Sequence, residues 1–88
     1  MFDIIIDDGG HTMNQQITTL NCMFPYLNDG GVFAIEDTHT SYWQSWGGGY
    51  KEPQTFLEHS KKITDALNQQ HFQGNNYILP QTLEIYKG

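Results

Sequence analysis

The sequence predicts an α/β fold with about three mostly parallel strands and two long helices. Two short apolar runs, Phe2–Ile6 and Val32–Ile35, each end in a pair of acids. Between them lies a capping-box pattern followed by an amphipathic run, and a second amphipathic run follows Pro53. At 88 residues the chain is expected to be one domain.

The first strand is read at 2–7. Ile4, Ile5 and Ile6 are consecutive β-branched residues, and a continuous apolar run reads as a parallel strand buried on both faces. Asp7-Asp8-Gly9-Gly10 closes it. Thr12 then serves as N-cap with Gln15 three residues on. Met13, Ile17, Leu20, Phe24 and Leu27 follow at helical spacing, and Pro25 stops the helix near Met23 or Phe24. Asn28-Asp29-Gly30-Gly31 reads as a turn into a second strand at 32–36. Residues 2–37 thus form a βαβ unit with a right-handed crossover.

Residues 38–52 read as a long connection with four aromatics and three glycines. A loop of this kind is either a lid over an organic substrate or a plug over apolar surface. Pro53 suits the first turn of a second helix over 53–70, with Phe56, Ser60, Ile63 and Leu67 on one stripe. Glu58 and Lys62 sit at i, i+4 on its outer side. Gly74-Asn75-Asn76 breaks the pattern, and the alternation Thr82–Tyr86 predicts a half-exposed strand over about 82–87.

Ten acids against four lysines give a net charge of −6, and arginine is missing altogether. That composition argues against nucleic-acid binding, which needs a basic surface. No run approaches the roughly 18 apolar residues of a membrane helix, so no membrane is expected. The N-terminus has no basic region like that of a signal peptide, and a cytoplasmic setting is the default. Cys22 is alone, which excludes an internal disulfide, and its apolar helical context predicts a buried, inert thiol.

Asp7-Asp8 and Glu36-Asp37 stand at the carboxyl ends of both strands, where open α/β sheets place their ligands. Four carboxylates converging there suit a hard divalent ion, Mg²⁺ or a similar metal. They equally suit solvated loop acids. His11, on the turn into the first helix, is a candidate general base or a surface histidine. His39 holds the equivalent place after the second strand. His59 and His71 read as surface residues.

Phe2–His11, then Phe24-Pro25-Tyr26-Leu27, then Gly30–Thr38 and Thr40-Ser41-Tyr42-Trp43 together resemble the C-terminal half of a class I S-adenosylmethionine-dependent methyltransferase. More narrowly, they resemble the macrocin and mycinamicin sugar O-methyltransferases and cephalosporin hydroxylase-type proteins. The resemblance implies a partial Rossmann-like methyltransferase fold, with matching segments at the fourth strand, its helix, the fifth strand and the next helix. It implies a metal site of Asp7, Asp8, Glu36 and Asp37, His11 as base toward a sugar hydroxyl, and His39, Tyr42 and Trp43 as substrate contacts. It also implies S-adenosylmethionine as cofactor. The glycine-rich loop and the acid with which such enzymes hold that cofactor are not among the 88 residues. The expectation is a half-domain inactive alone, and a homo-oligomer, since the first strand would present an uncharged edge. The alternatives are a non-enzymatic oligomeric interaction module, or a chain that complements a separate one.

Overall fold

The computed structural model describes residues 1–73. β1 spans Phe2–Asp7, α1 Met13–Met23, β2 Leu27–Ile35 and α2 Phe56–Leu67. β1 and β2 are parallel neighbours, paired Ile4 with Val32, Ile5 with Phe33, Ile6 with Ala34 and Asp7 with Ile35. The βαβ unit and the α/β class therefore stand as expected. The strand expected over 82–87 lies outside the described residues.

α1 starts where the capping box requires. Thr12 Oγ1 accepts from the Gln15 amide at 3.3 Å, and Gln15 Oε1 accepts from the Thr12 amide at 3.2 Å. Pro25 ends the helix and leads through a 3₁₀ turn, Phe24–Tyr26, into β2. β2 begins at Leu27, earlier than the sequence suggests. The Asn28–Gly31 segment is an irregularity inside the strand rather than a turn before it: Phe2 pairs with Leu27, but Ile4 pairs with Val32. The extra residues bulge out at Gly30, whose φ of 78° a side chain would strain.

The expectation that β1 is buried on both faces fails. Ile5 and Asp7 are half-buried, whereas Ile4 and Ile6 remain 65% and 64% exposed and Val32 58%. A parallel sheet needs cover on both faces, and among the described residues the two strands and their crossover helix cover only one. Cys22 is also exposed, not buried. It lies nine residues, two and a half turns, beyond the buried Met13, and so falls on the opposite side of α1.

The 38–52 connection is more regular than a loop. It contains two 3₁₀ turns, Thr38–Tyr42 and Gln44–Trp46. α2 starts at Phe56 rather than at Pro53, because Thr55 rather than the proline caps it: Thr55 Oγ1 accepts from the Glu58 amide at 3.2 Å. The other first-turn amides of α2 also have partners. Phe56 donates to Met13 Sδ at 3.2 Å and Leu57 to Ser41 Oγ at 3.2 Å. The helix stops at Leu67, and a short 3₁₀ turn, Gln69–His71, follows. Glu58 pairs with Lys61 at 3.0 Å, one residue nearer than the Lys62 expected. Among the described residues the buried apolar side chains are Met13, Leu27 and Phe56, and the buried polar ones are Gln16, Thr40, Ser41 and Thr55.

Candidate functional site

The last rung of the parallel ladder assembles the site. The Glu36 amide donates to the Asp7 carbonyl at 3.0 Å, which sets the two acidic pairs side by side at the strand ends. Asp7 is spent locally: Oδ1 accepts from the Gly9 amide at 3.0 Å and shapes the turn into α1. Its Oδ2 is buried with no partner among the described residues. The chain then turns so that Asp8 and His11 both stand beside Asp37. Ligand atoms of Asp8, His11 and Asp37 lie within 4.8 Å of one another.

His11 Nε2 is 3.5 Å from Asp37 Oδ2. Glu36 joins through Asp8: a hydrogen bond to the Asp8 side chain, and then the Asp8 charge, hold its carboxyl above the usual range. Crowding of like charges at this edge opposes full ionisation of Glu36. The carboxylate oxygens of Asp8, Glu36 and Asp37 suit a hard divalent ion, and the His11 imidazole stands beside them. The crowding of Asp8, Glu36 and Asp37, with the orphaned oxygen of Asp7 behind them, fits such an ion.

Of the four acids read from the sequence, Asp8 and Asp37 meet at His11, Glu36 reaches them through Asp8, and Asp7 faces the turn. His39 is exposed and packs edge-on against Trp43, with ring centroids 4.8 Å apart. Tyr42 stacks on Tyr50 at 6.4 Å. The ring beside His11 belongs instead to Trp46, at 6.2 Å. Sequence reasoning also passed over Gln16 and Thr40, both buried against the acids' backbone. Gln16 was detectable as a polar residue three after Met13 on the core side of α1. Thr40 entered only as part of the Thr40-Ser41-Tyr42-Trp43 string, with no role of its own.

No family model matches the chain. Curated relatives do. L-olivosyl-oleandolide 3-O-methyltransferase of Streptomyces antibioticus is 45% identical over 71 residues, 76% of this chain and 18% of that enzyme. Mycinamicin VI 2''-O-methyltransferase of Micromonospora griseorubida is 40% identical over 73 residues, and demethylmacrocin O-methyltransferase of Streptomyces fradiae 39% over 72. Over about three quarters of its length the chain is similar to the sugar O-methyltransferases. It spans about a fifth of the length of these methyltransferases, 18% of each. The fold agrees. The solved structure of the mycinamycin-pathway methyltransferase MycE, in complex with Mg and SAH, matches with a TM-score of 0.77 at 33% identity, over 92% of this chain and 22% of that one.

Proposed function

We propose that this chain forms the metal-and-base edge of an S-adenosylmethionine-dependent sugar O-methyltransferase. We further propose that methyl transfer requires a second polypeptide segment that carries the adenosylmethionine pocket. The convergence of Asp8, His11 and Asp37 within 4.8 Å carries this reading. The Mg and SAH in the MycE complex support it.

Asp8, Glu36 and Asp37 would hold a Mg²⁺-type ion, with Asp7 behind them. Bound there, the ion would orient a sugar hydroxyl and lower its pKa. His11 takes the hydroxyl proton as a neutral imidazole. Because Nε2 faces the Asp37 carboxylate, the tautomer that suits this contact keeps its proton on Nε2 and its lone pair on Nδ1. Asp37 thereby orients the base, and the part-exposed Trp46 ring, 6.2 Å from His11, offers an apolar surface beside it that suits the C–H face of a sugar.

Calorimetric titration with Mn²⁺ tests the site directly. The chain should bind the ion, and Asp8→Asn and Asp37→Asn should each weaken binding about tenfold or more. Equal affinity in both variants would remove the metal reading. S-adenosylmethionine should not bind to this chain alone, and micromolar binding would overturn the need for a second segment.

A second reading, an oligomeric association module, is favoured by one observation: the bare sheet face of Phe2, Ile4, Ile6 and Val32. It is compatible with the first and rests on the oligomeric state.

A further inference from the structure

Asp37 holds a left-handed backbone, φ 59° and ψ 45°, at the start of the Thr38–Tyr42 turn. This conformation is uncommon for a non-glycine residue, although Asp tolerates it better than most, and such residues cluster at sites of chemistry. Two buried side chains constrain this backbone. Gln16, fully buried, directs Nε2 at the Asp37 carbonyl (3.3 Å) and the Glu36 carbonyl (3.4 Å). Both partners are acceptors, so only the amide nitrogen can face them. Its two protons serve one carbonyl each. Thr40, 2% exposed, donates Oγ1–H to the His11 carbonyl at 2.6 Å and lies 3.3 Å from the Asp37 carbonyl.

The backbones of His11, Glu36 and Asp37 are therefore tied to two side chains that do not themselves reach the metal-type cluster. The bond between Thr40 and His11 crosses from the 3₁₀ turn to the start of α1, and the bonds from Gln16 cross from α1 to the end of β2. Gln16 Oε1 is buried without a partner among the described residues. Leaving an acceptor orphaned is unfavourable, and the arrangement tolerates it to keep the amide nitrogen on the two carbonyls.

We propose that Gln16 and Thr40 are positioning residues of this site: they lock the backbone of the acidic pair against the backbone of the base, so that Asp8, His11 and Asp37 meet before any ligand arrives. The assignment rests on the metal-and-base reading above for its functional meaning, while its structural content stands apart from it.

Three variants and two readouts test the assignment. Gln16→Met keeps length and removes the donors. Thr40→Val keeps shape and removes the hydroxyl, and Thr40→Ser restores the hydroxyl. The first readout is the Mn²⁺ dissociation constant, which should rise about tenfold in Gln16→Met and Thr40→Val and stay within about twofold in Thr40→Ser. The second is amide hydrogen exchange without metal. The Glu36 amide, bonded to Asp7, and the Trp43 amide, bonded to Thr40, should exchange faster in the first two variants. The His59 amide in α2, bonded to Thr55, should be unchanged.

Unchanged Mn²⁺ affinity in folded Gln16→Met and Thr40→Val would overturn the proposal. So would faster exchange spread evenly over α2. If the unaltered chain binds no Mn²⁺, the metal reading falls, and the exchange pattern alone decides the positioning role. If Gln16→Met does not fold, the Thr40→Val and Thr40→Ser pair decides.

Discussion

Individual residues set the behaviour of this small core. His59 is half-buried on α2, and its Nε2 has no hydrogen-bond partner among the described residues. Burial, and then the positive charge of Lys62, hold its pKa below the ordinary 6.5. The unfolded chain therefore takes up this proton before the folded one does. The stability this site contributes is present above 6.5 and declines as pH falls from there toward the lowered folded value. Urea unfolding on either side of pH 6.5 should show that decline, and His59→Gln should flatten it. An equal slope in both proteins would remove His59 from the account. Gly48 is constrained differently. A Cβ there would collide with the backbone carbonyls of Thr40 and Ser41, which cannot swing aside like a flexible side chain. Gly48→Ala should cost about 1–3 kcal/mol, read from the unfolding midpoint at unchanged slope. Since Thr40 holds the His11 carbonyl, the same variant should also loosen Mn²⁺ binding.

At the scale of elements, local chemistry made much of the fold legible, and tertiary contacts hid the rest. β1, the capping box at Thr12, the stop at Pro25 and the parallel partner strand all follow from residues that act within a few positions of themselves. The start of α2 does not. Pro53 satisfies the general preference for proline in a first turn, but Thr55 has the side chain that accepts from Glu58, and Met13 and Ser41 supply the neighbouring acceptors from distant sequence. The length of β2 was hidden for a related reason. Asn28–Gly31 has turn composition, yet a neighbouring strand can keep such a segment in a sheet as an irregularity. The candidate site divides the same way. Its acids and base lie in two short motifs, whereas Gln16, Thr40 and Trp46 reach it only through folding. Thr55→Ala should cost about 1 kcal/mol of stability, within the range for a lost N-cap. The expected result is a lower midpoint in chemical unfolding with helical circular dichroism retained at low denaturant. A change below a few tenths of a kcal/mol would mean that Met13 and Ser41 suffice to start the helix.

At the scale of the whole molecule, the described residues leave much apolar surface exposed. Phe2, Ile4 and Ile6 of β1 and Val32 of β2 are exposed on one face, and Tyr42, Trp43 and Tyr50 are exposed along the connection that follows β2. In the described residues β1 and β2 form the whole sheet, so each leaves an outer edge open. The size of the bare face decides what association to expect. Six residues at about 3.3 Å each, across two strands about 4.8 Å apart, give a footprint of only about 200 Å². A stable dimer buries about 800 Å² per partner, so the face alone cannot hold one. Edge-to-edge pairing adds backbone hydrogen bonds and joins two bare faces into one, but an edge that pairs head-to-tail does not close on itself. The expected outcome is weak, concentration-dependent self-association rather than a tight dimer, with the net charge of −6 opposing it at low salt. Light scattering should give a mass near the 10.1 kDa of one chain at low micromolar concentration and a rising mass toward millimolar, more steeply in higher salt. Ile4→Lys is the discriminating variant. Ile4 is exposed, so a charge there spares the α1-facing side, whereas Ile5 is half-buried and its replacement would damage the core. Ile4→Lys should hold the mass at one chain across the range with an unchanged melting temperature. A monomer at every concentration in the unaltered chain would overturn the expected self-association.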